Sequence, residues 1–417
     1  MTSRISAVSA AAAALCVAAA LAGCTSGSDS TVIEFQTAQA ADSPLLAAIE
    51  DVTARYEQAN PGVDIDLKTA GNDYEPQIRV RLAARDAPDI FATHGWSRQR
   101  YSGFLAPLQD EPWAVNFNPA LATAMQDDDG AFYALPINTD VSGVIVNRDL
   151  LTAVGVAPEQ ITTWDDFTAA AEAVVADGKT ALTLAGSKDG SAGNVIDWLA
   201  PGAFTADELQ AMLDGEFPIE AYEQLLATLD GMRAEGWINP DYSSATGDDM
   251  ARALAQGDAA FAFSTNFLIS DAHAYNPDAD LAFIPVPSLL GGEPYLLGGE
   301  DTAFGAAAAG ENLAQAKDYL AFLAEPANIS QLAGSIGTLP GLTDAEPQLG
   351  ELQASFDQFV IPGEVPLEPY FDRVYLPNGM WETVISTADG VVAGQSSPAE
   401  SARRVEADFA TLFTQSR

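Results

Sequence analysis

The chain has two cysteines, Cys16 and Cys24, and both stand near its N-terminal end. Cys16 lies inside an apolar run from Ile5 to Leu21, almost wholly Ala, Val and Leu, behind the basic start Met1-Thr2-Ser3-Arg4. A basic start, an apolar stretch and small residues at its end mark a secretory leader. The run is shorter than the roughly 20 apolar residues that span a membrane, and Ser6, Ser9 and Gly23 interrupt or flank it. Removal of residues 1–23 leaves one thiol, so no disulfide can form within the remainder. An exported chain without disulfides must be held by its hydrophobic core alone. Roughly 390 residues can build such a core, most naturally as two domains. One thiol and two histidines, His94 and His273, also leave no cysteine-based zinc site.

The apolar run ends in Leu21-Ala22-Gly23-Cys24, which resembles the bacterial lipobox, where small residues precede a Cys that is lipidated and becomes the mature N-terminus. Residues 24–31 then read as a lipidated Cys and a flexible tether, small and polar from Thr25 to Ser30. One acyl chain holds a protein only marginally; the two chains of a diacylglyceryl group suffice. The alternative is an ordinary signal peptide, 1–23, followed by an incidental Cys. The formal charge of −41 argues against nucleic-acid binding by a basic face. It argues equally against adhesion of the folded body to anionic lipid. This acidity either keeps an extracellular protein soluble in salty surroundings or lines a cleft for a cation such as a polyamine.

Beyond the tether, Thr31-Val32-Ile33-Glu34-Phe35 reads as a strand. Pro44 opens an amphipathic helix with Leu45, Leu46, Ile49, Val52 and Tyr56 at helical spacing, stopped by Asn60-Pro61-Gly62. Residues 63–67 alternate as a half-buried strand. A helix over 76–85 and a short buried strand over 87–92 follow. This order argues for an α/β domain with a mainly parallel sheet. A second strand region covers 132–137 and 144–147. Thr163 and Asp166 form the outline of a capping box, and Ala259-Ala260-Phe261-Ala262-Phe263 is another buried strand. Residues 285–299, rich in Pro and Gly, read as a loop and linker. Helices are expected at 311–324, after about 344, and at 398–414.

Several of these segments together resemble the family 1 extracellular solute-binding proteins of ABC sugar importers. They are the helix 45–59 with Asn60-Pro61-Gly62-Val63; Ala87-Pro88-Asp89-Ile90-Phe91 with Gly103-Phe104-Leu105-Ala106-Pro107-Leu108; Tyr133-Ala134-Leu135-Pro136 with Val146-Asn147-Arg148-Asp149-Leu150-Leu151; Thr163-Trp164-Asp165-Asp166-Phe167; Ala255-Gln256-Gly257-Asp258-Ala259-Ala260-Phe261; and Trp381 through Gly394 with Ser397-Pro398-Ala399-Glu400. Their order and spacing cover nearly the whole mature chain. The resemblance implies an α/β, two-lobed periplasmic-binding-protein-like fold, with the ligand cleft between the lobes and three hinge crossings. One lobe would comprise 32–137 plus 291–318, the other 138–290 plus 319–417. The crossings would fall near Leu135–Thr139, near 288–299 and near the helix 311–324. It further implies a sugar or oligosaccharide ligand, lobe closure around it, delivery to ABC permease transmembrane subunits, no cofactor and no metal. The protein would be a monomer on the extracellular face of the cell membrane, held by lipid on Cys24 alone.

A sugar needs aromatic platforms for its apolar faces and carboxylates or amides for its hydroxyls. By the resemblance, Asp140 stands four residues after Pro136 where the family has a sugar-contacting carboxylate; otherwise it is a solvated turn aspartate. Trp381 is spaced from Gly394 as the family's stacking Trp is from its Gly, or is a core Trp at a helix start. Asn266 and Phe267 follow strand 259–263 where the family often places an aromatic, although Trp is replaced here. From their own positions, His94 and Trp96 lie in a loop at a strand end, and Glu300 and Asp301 follow Gly298-Gly299 at the second crossing. Gln39, Trp198, Asp372 and Arg373 are further candidates, with Tyr370 beside the last two. Packing or plain surface roles remain open for each.

The rival classes are a secreted carbohydrate hydrolase and a polyamine receptor of the same fold. A glycosidase needs two carboxylates at a fixed separation, and among 59 acids such a pair decides nothing. No Gly-x-Ser-x-Gly elbow, zinc-binding His pair or P-loop is present in the sequence. The expectation is a binder and not an enzyme.

Overall fold

The computed structural model describes residues 30–415 apart from 42, 94–97, 128 and 187–189. The expected leader, Cys24, His94 and Trp96 lie outside the described residues. Thr31, where the expected tether and the expected first strand overlap, opens the first strand.

In chain order the strands among the described residues are β1 (Thr31–Thr37), β2 (Val63–Thr69), β3 (Ile90–Thr93), β4 (Leu135–Pro136), β5 (Asn138–Ser142), β6 (Val144–Asn147), β7 (Thr180–Leu182), β8 (Ala259–Phe263), β9 (Leu281–Ile284), β10 (Leu296–Glu300), β11 (Ala303–Ala306), β12 (Leu339–Pro340) and β13 (Leu367–Pro369). They form three sheets, ordered β2-β1-β3-β11-β4, β12-β5-β10-β13 and β7-β8-β6-β9. The first belongs to one lobe and the third to the other; the second joins them.

In the first lobe β1 runs parallel to β2 and β3, as the strand–helix–strand order requires. The helix Pro44–Ala59 begins where Ser43 accepts the Leu46 N–H and buries Leu45, Leu46, Ile49, Val52 and Tyr56. Strand β11 enters antiparallel beside β3 and β4. In the second lobe β6 is antiparallel to both β8 and β9. The expected capping box forms between Thr163 and Asp166 at the helix Trp164–Ala176.

The chain passes from β4 through β5 into β6, and returns through β10 into β11. Residues 285–299 are not all loop: Leu296–Glu300 is a strand, antiparallel to β5. Two glycines within it lie directly under other side chains. A Cβ on Gly298 would stand 2.6 Å from Leu367 Cδ1, and one on Gly299 3.3 Å from the Tyr370 ring. Tyr295 packs with the second lobe, its hydroxyl donating to the Trp198 carbonyl. First-lobe chain therefore resumes at Ala303, later than the expected 291.

The third crossing also differs from expectation. The helix Leu313–Leu323 buries Ala316, Tyr319, Leu320 and Leu323 in the first lobe's core. Tyr319 packs edge-on to Tyr56 at 5.0 Å and shares a 2.6 Å hydrogen bond with Thr53. That single apolar stripe straddles the expected 318/319 boundary and faces one partner, so it cannot be divided between lobes. The next helix, Pro326–Gly334, stays in the same core through Ile329 and Leu332. After β12 the chain still packs on the first lobe through Leu342 and joins the second lobe's core by Leu349.

Gly143, between β5 and β6, leaves no room for a side chain: a Cβ there would lie 2.1 Å from the Ile284 carbonyl oxygen. Gly143→Ala should destabilise by about 2 kcal/mol, several degrees in a calorimetric melt. Gly62→Ala, where a Cβ meets nothing within 4 Å, should leave the melt unchanged. Equal melts for both variants would refute this packing.

Candidate functional site

Strands β5 and β10 place Asp140 opposite Gly299. Just after β13 the Tyr370 ring lies against Gly299, and its hydroxyl donates to Asp140 Oδ2 at 2.5 Å and lies 3.2 Å from Ser142 Oγ. Ser142 also donates to Asp140. Trp198 meets Tyr370 edge-on at 5.3 Å, and the Arg373 guanidinium lies 4.3 Å from the centre of the same ring. Arg373 Nη1 donates to the Glu300 carbonyl at 2.7 Å. Asp197 accepts the backbone N–H of Asp372 at 2.8 Å. Two crossing strands thus anchor the short helix Phe371–Val374 through its side chains.

Two cavities open between the lobes on this frame. One, of about 500 Å³, is lined by Glu75, Arg79 and Arg98 of the first lobe and by Asp372, Arg373 and Trp381. The other, of about 740 Å³, is lined by Gln39 and Ser43 of the first lobe, by Phe267 and Asp271, and by Asp301 at the second crossing. Both volumes suit small-molecule ligands. Trp381 is half-buried, and its indole edge approaches Gly193, where a Cβ would stand 3.3 Å from the ring. Its remaining face can serve as an apolar platform.

The expected site residues therefore divide. Trp381, Asp372 and Arg373 share one cavity; Phe267, Gln39 and Asp301 share the other. Asn266 is buried and donates to the Val141 carbonyl at 2.5 Å. Trp198 is buried, lines neither cavity and spends its indole N–H on the Gly143 carbonyl at 2.9 Å, so it supports Tyr370 from behind. Asp140 is neither a solvated turn residue nor a cavity residue; its carboxylate is engaged by Tyr370 and Ser142. Glu300 is 1% exposed, and neither carboxyl oxygen has a hydrogen-bond partner among the described residues.

Sequence reasoning missed Arg79, Arg98 and Asp197. Glu75 and Arg79 stand at i,i+4 on the helix Tyr74–Ala84, a spacing that puts both on one face. Asp197 is the only charged residue in the apolar helix Ser191–Leu199, a signal in itself.

Burial dominates the electrostatics. It raises the carboxyls of Asp140, Asp197, Glu300 and Asp372, and the nearby Arg373 opposes each shift. The Asp140 carboxyl is pushed from its ordinary 3.8 up to about 6. The folded chain then holds that proton more tightly than the unfolded chain. The stability this brings is complete below about pH 4 and is lost as pH rises through about 6. Asp140→Asn still accepts from Tyr370 but does not titrate. Its melting temperature relative to wild type should climb between those pH values, by the equivalent of up to about 3 kcal/mol. A pH-independent difference would show that Asp140 carries no such shift.

Comparison with known proteins gives the fold and site a context. Residues 40–329 match the family model of the bacterial extracellular solute-binding protein. The melibiose/raffinose/stachyose-binding protein MelE of Bacillus subtilis is 30% identical over 381 residues, covering 88% of this chain and 86% of MelE. The binding protein MsmE of Bacillus subtilis, in an open conformation, superposes with a TM-score of 0.86 at 29% identity, covering 94% of this chain and all of that one. A sugar transporter protein of Bacillus licheniformis in complex with stachyose gives 0.79 at 30% identity, covering 92% of this chain and all of that one. The chain belongs to the family of bacterial extracellular solute-binding proteins.

Proposed function

We propose that the protein captures an oligosaccharide of the raffinose and stachyose class between its lobes and delivers it to an ABC permease. The observation that carries this is the placing of Trp381 beside Asp372 and Arg373 in the first cavity, an apolar platform next to paired hydrogen-bonding groups. MelE is named for such sugars, and stachyose occupies the Bacillus licheniformis relative. Charge balance in that cavity supports a neutral ligand. Arg79, Arg98 and Arg373 stand against Glu75, Asp372 and Glu382, although the chain as a whole carries −41. A polyamine trap would concentrate acid there instead. Phe267, Gln39 and Asp301 would take the far end of a longer sugar in the second cavity.

The work of such a site is binding and release, without bond cleavage. Closure of the two lobes would bring Arg79 and Arg98 towards Trp381. The protein acts as a monomer outside the cell, tethered by lipid on Cys24. The support for that tether is Leu21-Ala22-Gly23-Cys24 and the small polar residues after it. No described helix is long and apolar enough to cross a membrane.

A thermal-shift screen of residues 25–417 against raffinose, stachyose, other oligosaccharides and spermidine tests this reading. A ligand at 100 times its dissociation constant adds about 2.7 kcal/mol, a rise of several degrees. Raffinose or stachyose should give that rise, and it should survive added salt. A rise with spermidine alone, lost in salt, would replace the sugar with a cation.

A further inference from the structure

Glu300 ends β10, where the chain crosses between the lobes, and stands opposite Thr139 of β5. Both lobes meet at this strand. From the first lobe, the turn Pro119–Leu121 and the helix Ala122–Met125 pack on β10, with Leu121 and Met125 in that lobe's core. The same helix packs on Phe371–Val374, whose Phe371 lies in the second lobe's core. Asn118, just ahead of the turn, reaches the Thr139 hydroxyl at 3.4 Å. Glu300 therefore sits in a seam that a swing of one lobe on the other must shift.

The backbone of Glu300 is satisfied there, since its carbonyl accepts from Arg373 Nη1 at 2.7 Å. Its side chain is not. The residue is 1% exposed, and no donor among the described residues reaches either carboxyl oxygen. Arg373 bears on the carboxyl group by charge but does not bond it, and Asp301 adds like charge. The remaining neighbours do not help. Asp140 on β5 is engaged by Tyr370 and Ser142. Asp372 lines the first cavity, and Glu368 on β13 is half-buried. Residues 118–125 include no ionisable group. A carboxylate closed off from water without a hydrogen bond is costly, far more so than a neutral acid in the same place. Burial accordingly pushes the Glu300 carboxyl well above its ordinary range, against the pull of Arg373.

We propose that Glu300 is a conformational switch in the crossing, which permits this lobe arrangement while its carboxyl group is neutral and opposes it once ionised. Loss of the proton to solvent leaves an unsolvated charge in the seam, and the lobes shift until water or the Arg373 guanidinium reaches it. This arrangement holds the proton more tightly than one in which Glu300 is hydrated. Acid therefore favours it, and rising pH draws the population away. The inference does not depend on which ligand the cleft takes.

Small-angle X-ray scattering of the ligand-free protein at about pH 5 and about pH 9 tests it, on wild type, Glu300→Gln and Glu300→Met. Gln keeps the shape and cannot ionise; Met fills a similar volume without a charge. Wild type should give the scattering profile of this arrangement at the lower pH and depart from it at the higher. Both variants should keep the first profile throughout. The Asp140 titration is common to all three proteins and cancels in the comparison. A wild-type profile that does not change with pH, or variants that change as wild type does, would overturn the proposal. Melts of the same samples show that each variant is folded. The melting temperature of Glu300→Gln relative to wild type should rise with pH, because the wild type alone loses its buried proton. A difference that stays level across the range would equally rule the switch out.

Discussion

Strands β5 and β10 lie side by side where the chain crosses between the lobes, and the cleft is built outward from that antiparallel pair. Asp140 stands opposite Gly299, and the missing side chain at Gly299 admits the Tyr370 ring. Tyr370 is held at its hydroxyl by Asp140, at one side by Trp198 and at another by Arg373. From Tyr370 the chain continues into Asp372 and Arg373, and soon into Trp381. A side chain at Gly299 would press on the ring, its Cβ 3.3 Å from the nearest ring carbon. The crossing between the lobes and one wall of the first cavity are therefore built from adjoining residues.

This arrangement burdens the hinge with buried carboxyl groups. Asp140, Asp197 and Glu300 are each at least 97% buried, and Arg373 is the cation that bears on all three. Burying several acids around one guanidinium is a poor way to gain stability. It does hold Asp140 and Asp197 in one geometry, because each accepts a hydrogen bond that an altered arrangement would leave unmade. The surrounding apolar cores of the two lobes supply the stability that this cluster does not.

Much of the fold was legible because its signals are local. The helix Pro44–Ala59 shows its proline and its apolar stripe within sixteen residues; the Thr163–Asp166 box spans four. What escaped depends on partners far along the chain. Leu296–Glu300 looks like a glycine-rich loop until Leu367 and Tyr370 are laid on Gly298 and Gly299. The helix Leu313–Leu323 looks like a crossing until Tyr319 is seen against Tyr56. At the site, Trp381, Asp372, Arg373, Phe267, Gln39 and Asp301 do reach the cavities, whereas Asp140 and Trp198 act one layer behind. Spacing from a proline locates Asp140 on its strand but cannot say that Tyr370, 230 positions away, takes its carboxylate.

The central claim is that a sugar lies between the lobes with Trp381 as its platform. Calorimetric titration of stachyose into wild type and Trp381→Ala, at matched stability, tests it most directly. Loss of an aromatic platform at the centre of a binding site typically costs 2 kcal/mol or more, about thirtyfold in affinity. A loss of more than about tenfold, with the melting temperature within a few degrees of wild type, is the expected result. Undiminished affinity in the variant would contradict the account and place the ligand elsewhere.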